Sequence, residues 1–257
     1  AYFNPLRWAQ VGPQDIITMR GAENKFYDLG DMRAEHLITD RRARLAPWRG
    51  IGAAYTSFAA EAFMDELAEE AGADPVEFRL ALLKDNPRGR WLVERVLEMS
   101  DWKRARDGTA LGLAFAGYGD AMAAGVAEIS LDRESGVIAV KNFWTTVDAG
   151  LIVSPDNSLA QIEGGVVHGV GSALKERITI VDGEVQQNNF YDYEILRIVE
   201  TPEIAVDIAQ VDAPPTSIGE VSTPVVAPAI ANAFFALTGR RLRHMPFTPE
   251  RVLAALA

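Results

Sequence analysis

The hydrophobic pattern of this chain changes period several times along its length, and that decides the class of fold. From Ala54 to Ala71, Phe58, Ala59, Ala62, Phe63, Leu67 and Ala68 recur at helical spacing, with Glu61, Asp65, Glu66, Glu69 and Glu70 on the other face. Gly72 supplies a C′ stop. Asp74-Pro75-Val76-Glu77 then provides an N-cap, a proline at N1 and an acid at N3 for a second helix over Pro75 to about Lys84. A third, short helix is expected over Arg90–Met99.

From Gly112 onward the period becomes two. Leu113–Ala116, Val126–Leu131 and Val137–Thr146 read as strands, with a turn at Asp132–Gly136. Helical spacing returns over Asp156–Lys175. Strands at 177–181 and 184–188 flank Asp182-Gly183, a type I′ hairpin signal. A strand over Ile204–Val211, a helix over Pro228–Thr238, a strand around Leu242–Met245 and a short helix from Pro249 complete the pattern. The expected class is α+β: mixed sheets in hairpins rather than regular βαβ units, with packed helices. Residues 1–50 are polar, proline-bearing and weakly periodic, and read as an extended or partner-contacting arm. Residues 51–257 form the main region, divisible into subdomains at 51–110 and 111–257.

Composition narrows the chemistry. The net charge of −11 argues against nucleic acid, because phosphate binding needs a basic face. The basic clusters Arg41–Arg44 and Arg240–Arg243 read as solvated or strand-flanking charge. With no cysteine, thiolate nucleophiles, iron–sulfur ligation and structural zinc are unavailable from this chain. His36, His168 and His244 are scattered, so no protein-built metal site is expected. No stretch of eighteen apolar residues occurs, and the N-terminal residues lack the pattern of a signal peptide. The chain opens on Ala1 rather than Met and is read as beginning in mid-sequence, in a processed or split subunit. The compartment stays open between cytoplasm and periplasm.

Three glycine-rich constellations stand out. Gly164-Gly165-Val166-Val167-His168-Gly169-Val170-Gly171 places four glycines on an expected helix opened by Gln161-Ile162-Glu163. Each costs a helix about 1 kcal/mol relative to alanine, so something packs close: another backbone or a flat ligand. His168 reads as a packed core or interface histidine. In Trp48-Arg49-Gly50-Ile51-Gly52 the arginine can clamp an anionic oxygen, or can simply be a surface residue. Gly219-Glu220 sets a carboxylate beside a glycine, just ahead of a helix that is apolar all round. Alone it is a surface turn; in a closed pocket it is a base.

Taken in order, these pieces resemble the molybdenum-binding subunit of the xanthine dehydrogenase/aldehyde oxidase family. The matching stretches are Trp48-Arg49-Gly50-x-Gly52 with Phe58–Ala68, Asp74-Pro75-x-Glu77-Phe78-Arg79, Val147–Gly150, Gln161-x-Glu163-Gly164-Gly165-x-Val167-x-Gly169, and Gly219-Glu220 with Ala227–Ala233. Asn189–Tyr193 and Leu242–Val252 point further, to the isoquinoline 1-oxidoreductase β-subunit-like branch and to its C-terminal portion.

That resemblance implies a molybdenum–molybdopterin cofactor, often as the cytosine dinucleotide, held without protein ligands to the metal. It implies oxidation of an aldehyde or N-heteroaromatic substrate with water-derived oxygen, with Glu220 as general base toward a molybdenum-bound hydroxide. Gln161 and the glycines after it, Gly164 and Gly165, would contact the cofactor; Arg49, Gly50 and Gly219 would line the molybdenum site. The implied partners are the N-terminal counterpart of the subunit, a [2Fe–2S] subunit, and a FAD or cytochrome c acceptor subunit. No glycine–glutamine–glycine loop occurs here, so activity is expected only in the assembled complex. A non-catalytic assembly half is the alternative. Gly117-Tyr118-Gly119-Asp120-Ala121-Met122 departs from the family pattern and leaves substrate choice open.

Overall fold

In the computed structural model the described residues are 19–23, 25–35, 37, 46–104 and 106–257. The expected arm over 1–50 and the Arg41–Arg44 cluster lie mostly outside them. Three helices come first: α1 (Ile51–Glu70), α2 (Pro75–Leu82) and α3 (Pro87–Met99). Asp74 caps α2 as its sequence suggests, its side chain accepting from Val76 N at 2.8 Å and Glu77 N at 3.1 Å.

Strands β1 (Thr109–Tyr118), β2 (Ala121–Leu131) and β3 (Ile138–Asp148) then form an antiparallel meander. Helix α4 (Pro155–Leu174) follows, then a small hairpin of β4 (Ile180–Val181) and β5 (Glu184–Val185), strand β6 (Glu203–Ile208), and helices α5 (Val226–Thr238) and α6 (Pro249–Leu256). The sheet order is β1-β2-β3-β6. Strand β6 runs parallel to β3, with Thr145 opposite Val206. The expected mixed sheet is therefore present, with β1–β3 in hairpins and β6 added in parallel. Helix α4 gives the chain the length it needs to cross over and return in the same direction.

Alternation puts two cores on the two faces of this sheet. Leu113 and Phe115 of β1 face α2 and α3, in a cluster with Val76, Leu80, Leu92 and Val96. Ala114 and Ala116 face α1, α4 and α5, in a cluster with Ile162, Val166, Ile230 and Phe234. Helix α5 is apolar all round because it is buried all round. It lies against β1 so closely that a Cβ on Gly112 would stand 2.1 Å from Ala233 N.

A buried charge cluster joins α1 to α2. Arg79, fully buried, donates to Glu61 Oε2 at 3.0 Å, to Asp65 Oδ1 at 2.6 Å and to the Glu61 carbonyl at 2.9 Å. Glu61 Oε2 also accepts from Phe115 N at 2.9 Å, which ties the helices to β1. Burial pushes the Glu61 carboxyl up, and Arg79 works against that rise.

The expected strand around Leu242–Met245 is irregular instead. Its arginines face helix α1 rather than a sheet edge. Arg241 stacks on Phe235, 3.4 Å from the ring centroid, and donates to Glu69 Oε2 at 3.1 Å. Arg243 holds Glu66. The Arg240–Arg243 cluster is thus largely a clamp on α1 rather than solvated charge. Residues 175–202 differ from the rest of the fold. There Phe190, Tyr191, Ile198 and Val199 stand almost fully exposed.

Candidate functional site

Three segments far apart in sequence meet at one point. The first is the turn into α1. Gly50 sits at φ +88° and Ile51 at +44°, a left-handed pair in which the β-branched Ile51 is a true outlier. This turn leaves α1 with no side-chain cap. In place of a cap, Gly50 N donates to Glu220 Oε1 at 3.1 Å, so the carboxylate lies at the positive end of a 20-residue helix.

The second segment is the loop before α5, which carries Gly219 and Glu220. It is led into place by the Asp148–Gly150 turn. Asp148, fully buried, takes both Arg88 contacts at 2.5 Å and accepts from Gly150 N at 3.1 Å. Leu151 N then donates to Ala213 O at 2.8 Å and Thr216 N to Ala149 O at 2.9 Å. A Cβ on Gly219 would meet nothing within 4 Å, so the backbone beside the carboxylate faces open space.

The third segment is the first half of α4. Arg49 bridges it to the second. Its Nε donates to Gly219 O at 2.8 Å, and its Nη2 to Gln161 O at 2.8 Å and Gln161 Oε1 at 3.0 Å. All three acceptors are neutral. Burial pulls Arg49 below its ordinary value, and the nearby Glu220 partly offsets this.

The structure separates the glycines of α4. A Cβ on Gly164 would meet only the Arg49 guanidinium, at 3.3 Å. One on Gly165 would lie 2.1 Å from Ser222 Oγ, and one on Gly169 2.6 Å from Val226. Gly165 and Gly169 thus let α4 press against the 222–226 segment, where Ser222 Oγ donates to Ile162 O at 3.0 Å and Thr223 Oγ1 to Gly165 O at 3.1 Å. Gly164 alone turns toward Arg49. His168, read as a core or interface histidine, is not in the core: it is exposed, with its ring 5.4 Å from that of Trp48.

One residue near the site stands out from the sequence only as part of the run Gly117–Met122 that departs from the family pattern. Tyr118, the last residue of β1, is buried, and the turn that follows it closes on Ser217, 2.9 Å from where a Cβ on Gly119 would stand. The Arg20 guanidinium lies over its ring, 4.7 Å from the centroid. Its signal was an aromatic residue held between two glycines, Gly117 and Gly119. A cavity of about 140 Å³, lined by Arg20, Lys25, Ser57, Glu61 and Phe115 among others, includes none of the expected cofactor-facing residues.

The chain is similar to several known proteins. Residues 94–202 match the family described as a molybdopterin cofactor-binding domain. Isoquinoline 1-oxidoreductase subunit beta of Brevundimonas diminuta is 40% identical over 87% of this chain and 29% of its own length. The protein named membrane-bound aldehyde dehydrogenase [pyrroloquinoline-quinone] of Gluconacetobacter polyoxogenes is 34% identical over 95% of this chain and 34% of its own. The chain thus spans about a third of the length of these relatives. Among solved structures, quinoline 2-oxidoreductase from Pseudomonas putida 86 matches with a TM-score of 0.71 at 13% identity, over 81% of this chain and 52% of that one. That last likeness is one of fold.

Proposed function

We propose the following function for this chain, which belongs to the xanthine dehydrogenase/aldehyde oxidase family as part of its molybdopterin-binding subunit: it holds one side of the cofactor and supplies the base, Glu220, for oxidation of an aldehyde or N-heteroaromatic substrate. The observation that carries this reading is the convergence on Glu220. The carboxylate rests on the Gly50 N–H, beside the open face of Gly219 and within the field of Arg49.

The residues present fit a flat, polar cofactor. Gly219 and Gly164 expose backbone without side chains in the way, and Arg49 ties both segments together. When bound, the molybdenum–pterin group takes up the electron pair released as a substrate C–H becomes C–OH with oxygen from water. Glu220 accepts the proton of the water-derived nucleophile, a task that needs an ionised carboxylate. The neutral donor Gly50 N, at the start of α1, orients the carboxylate. Arg49 fixes the loop and keeps Gln161 turned toward the site. Gln161 can then offer its amide nitrogen to the cofactor, and Gly164 keeps a side chain out of its way; Gly165 serves by seating α4 on Ser222, and Gly50 by its N–H to Glu220. The cytosine dinucleotide form, the N-terminal counterpart, a [2Fe–2S] subunit and a FAD or cytochrome c acceptor subunit belong to the same reading.

The test is Glu220→Gln in the assembled enzyme. Turnover should fall by about 10²–10⁴-fold, the range for loss of a general base, while molybdenum content by metal analysis stays at the wild-type value. Near-wild-type turnover overturns the role of Glu220. A complex that carries a quinone and no molybdenum overturns the cofactor.

A further inference from the structure

We propose that the exposed apolar stretch between α4 and β6 is the surface on which the rest of the molybdopterin-binding subunit docks, the part that lies outside these 257 residues. This rests on the reading that an N-terminal counterpart completes the subunit, and not on the role of Glu220. The chain covers 29% and 34% of the length of two relatives, so most of such a body lies elsewhere and must meet this one. The stretch is built with its polarity inverted. Its polar groups serve its own shape: Asp192 accepts from Asn188 N at 3.0 Å and Asn189 N at 2.8 Å, Tyr193 Oη donates to Glu176 at 2.7 Å, and Lys175 Nζ holds Glu200 at 2.5 Å. Its large apolar groups stand in solvent: Phe190 is 98% exposed, Ile198 91%, Val199 87% and Tyr191 82%. Single exposed hydrophobics are ordinary, but a cluster within ten residues of sequence marks a contact site. Because its turns are already hydrogen-bonded within, covering it removes apolar surface from water and strands few polar groups.

Charge and position select this occupant. Asp182, Glu184, Glu194 and Glu203 are exposed along the stretch, on a chain of net charge −11. A second copy would set acid against acid, whereas an apolar face with a basic rim is complementary. Obligate interfaces are also the more apolar class, and transient redox contacts the smaller one, which favours the remainder of the subunit over an electron-transfer partner. The stretch falls within residues 94–202, which match the cofactor-binding domain. It leaves α4 at Leu174, about 15 Å along that helix from Gly164 at 1.5 Å per residue. It then runs into β6, an edge strand of the sheet, and sheet edges are commonly covered by further protein. A body seated there lies within the length of α4 from the open face of Gly164.

These residues include no cysteine, so Phe190→Cys and Ile198→Cys each place a single thiol among them. Both side chains stand in solvent here, and neither change disturbs the packing of this chain. In the assembled enzyme, N-ethylmaleimide should modify each thiol at least about tenfold more slowly than in the same protein unfolded in guanidinium, read by mass spectrometry of the peptide that carries it. A smaller slowing at either position overturns the proposal. p-Benzoylphenylalanine at position 190 identifies the occupant, and its photocrosslinks should map to the N-terminal counterpart of the subunit. Crosslinks to a second copy of this chain or to an iron–sulfur subunit, or none to protein, overturn it. The two readings fail separately. A purified enzyme without that counterpart sinks the partner and the surface together, whereas a counterpart present beside freely reactive thiols sinks only the surface.

Discussion

Arg79 and Arg49 each organise a cluster that contains a glutamate, and they do so in opposite ways. Arg79 is enclosed between α1 and α2 and gives its donors to two carboxylates, Glu61 and Asp65, and to main-chain carbonyls. Arg49 gives its donors to Gly219 O, Gln161 O and Gln161 Oε1, and to no carboxylate. Glu61 is consequently locked, with its charge matched and its position shared with Phe115 N. Glu220 is held by the neutral Gly50 N–H, with Arg49 near but committed elsewhere. A direct ion pair matches a carboxylate's charge and fixes it in the core; a neutral donor orders it without attaching a cation to it.

The largest break in this contrast comes from Arg79→Met. Removing one member of a fully buried pair leaves Glu61 uncompensated, and Asp65 with only Arg241 at 3.7 Å, and should cost about 3–5 kcal/mol, read as a large fall in Tm or in the denaturation midpoint. A fall under about 1 kcal/mol would show that the cluster is not a structural anchor.

The neighbouring glycines of α4 sharpen the comparison at smaller scale. Gly165→Ala drives a methyl into Ser222 Oγ and should destabilise the fold by about 1–3 kcal/mol, despite the better helix propensity of alanine. Gly164→Ala meets only the movable end of Arg49, so its stability should be unchanged or higher by up to about 1 kcal/mol. Equal effects in thermal melts would contradict the assignment of the two positions to packing and to the site. Smallest of all is Arg243→Ala. Its clamp on Glu66 is half-exposed at the arginine end and should be worth under about 1 kcal/mol, most clearly seen at low salt.

The sequence shows some of this molecule directly. Helices α1 to α3 announce themselves through periodicity and through the Asp74-Pro75 start, because caps and faces are local. The turn at Asp182-Gly183 is equally local: both residues adopt positive φ, as a type I′ hairpin demands. The parallel pairing of β6 with β3 is not local, since nothing in residues 203–208 records which strand they will meet. Leu242–Met245 alternates like a strand, yet its arginines are drawn to Asp65, Glu66 and Glu69 on a helix.

At the site, Arg49, Gly50, Gln161, Gly219 and Glu220 could be named in advance and are found together. Gly164 and Gly165 look alike in sequence, but a helix turns about 100° per residue, and that rotation alone sends one toward Arg49 and the other into the core. Tyr118 stands out only within the run Gly117–Met122 that departs from the family pattern. The approach of that turn to Ser217 is set by tertiary packing and has no local signal.

The exposed stretch between β5 and β6 has one further consequence. Arg49 and Gln161 precede it, Gly219 and Glu220 follow it, and the two groups are joined across the β3–β6 ladder and by the Ser222 and Thr223 hydroxyls on α4. A proteolytic nick near Phe190 would therefore fall outside every contact that assembles the site. Chain continuity there is dispensable to its geometry, and the two pieces would remain one folded body.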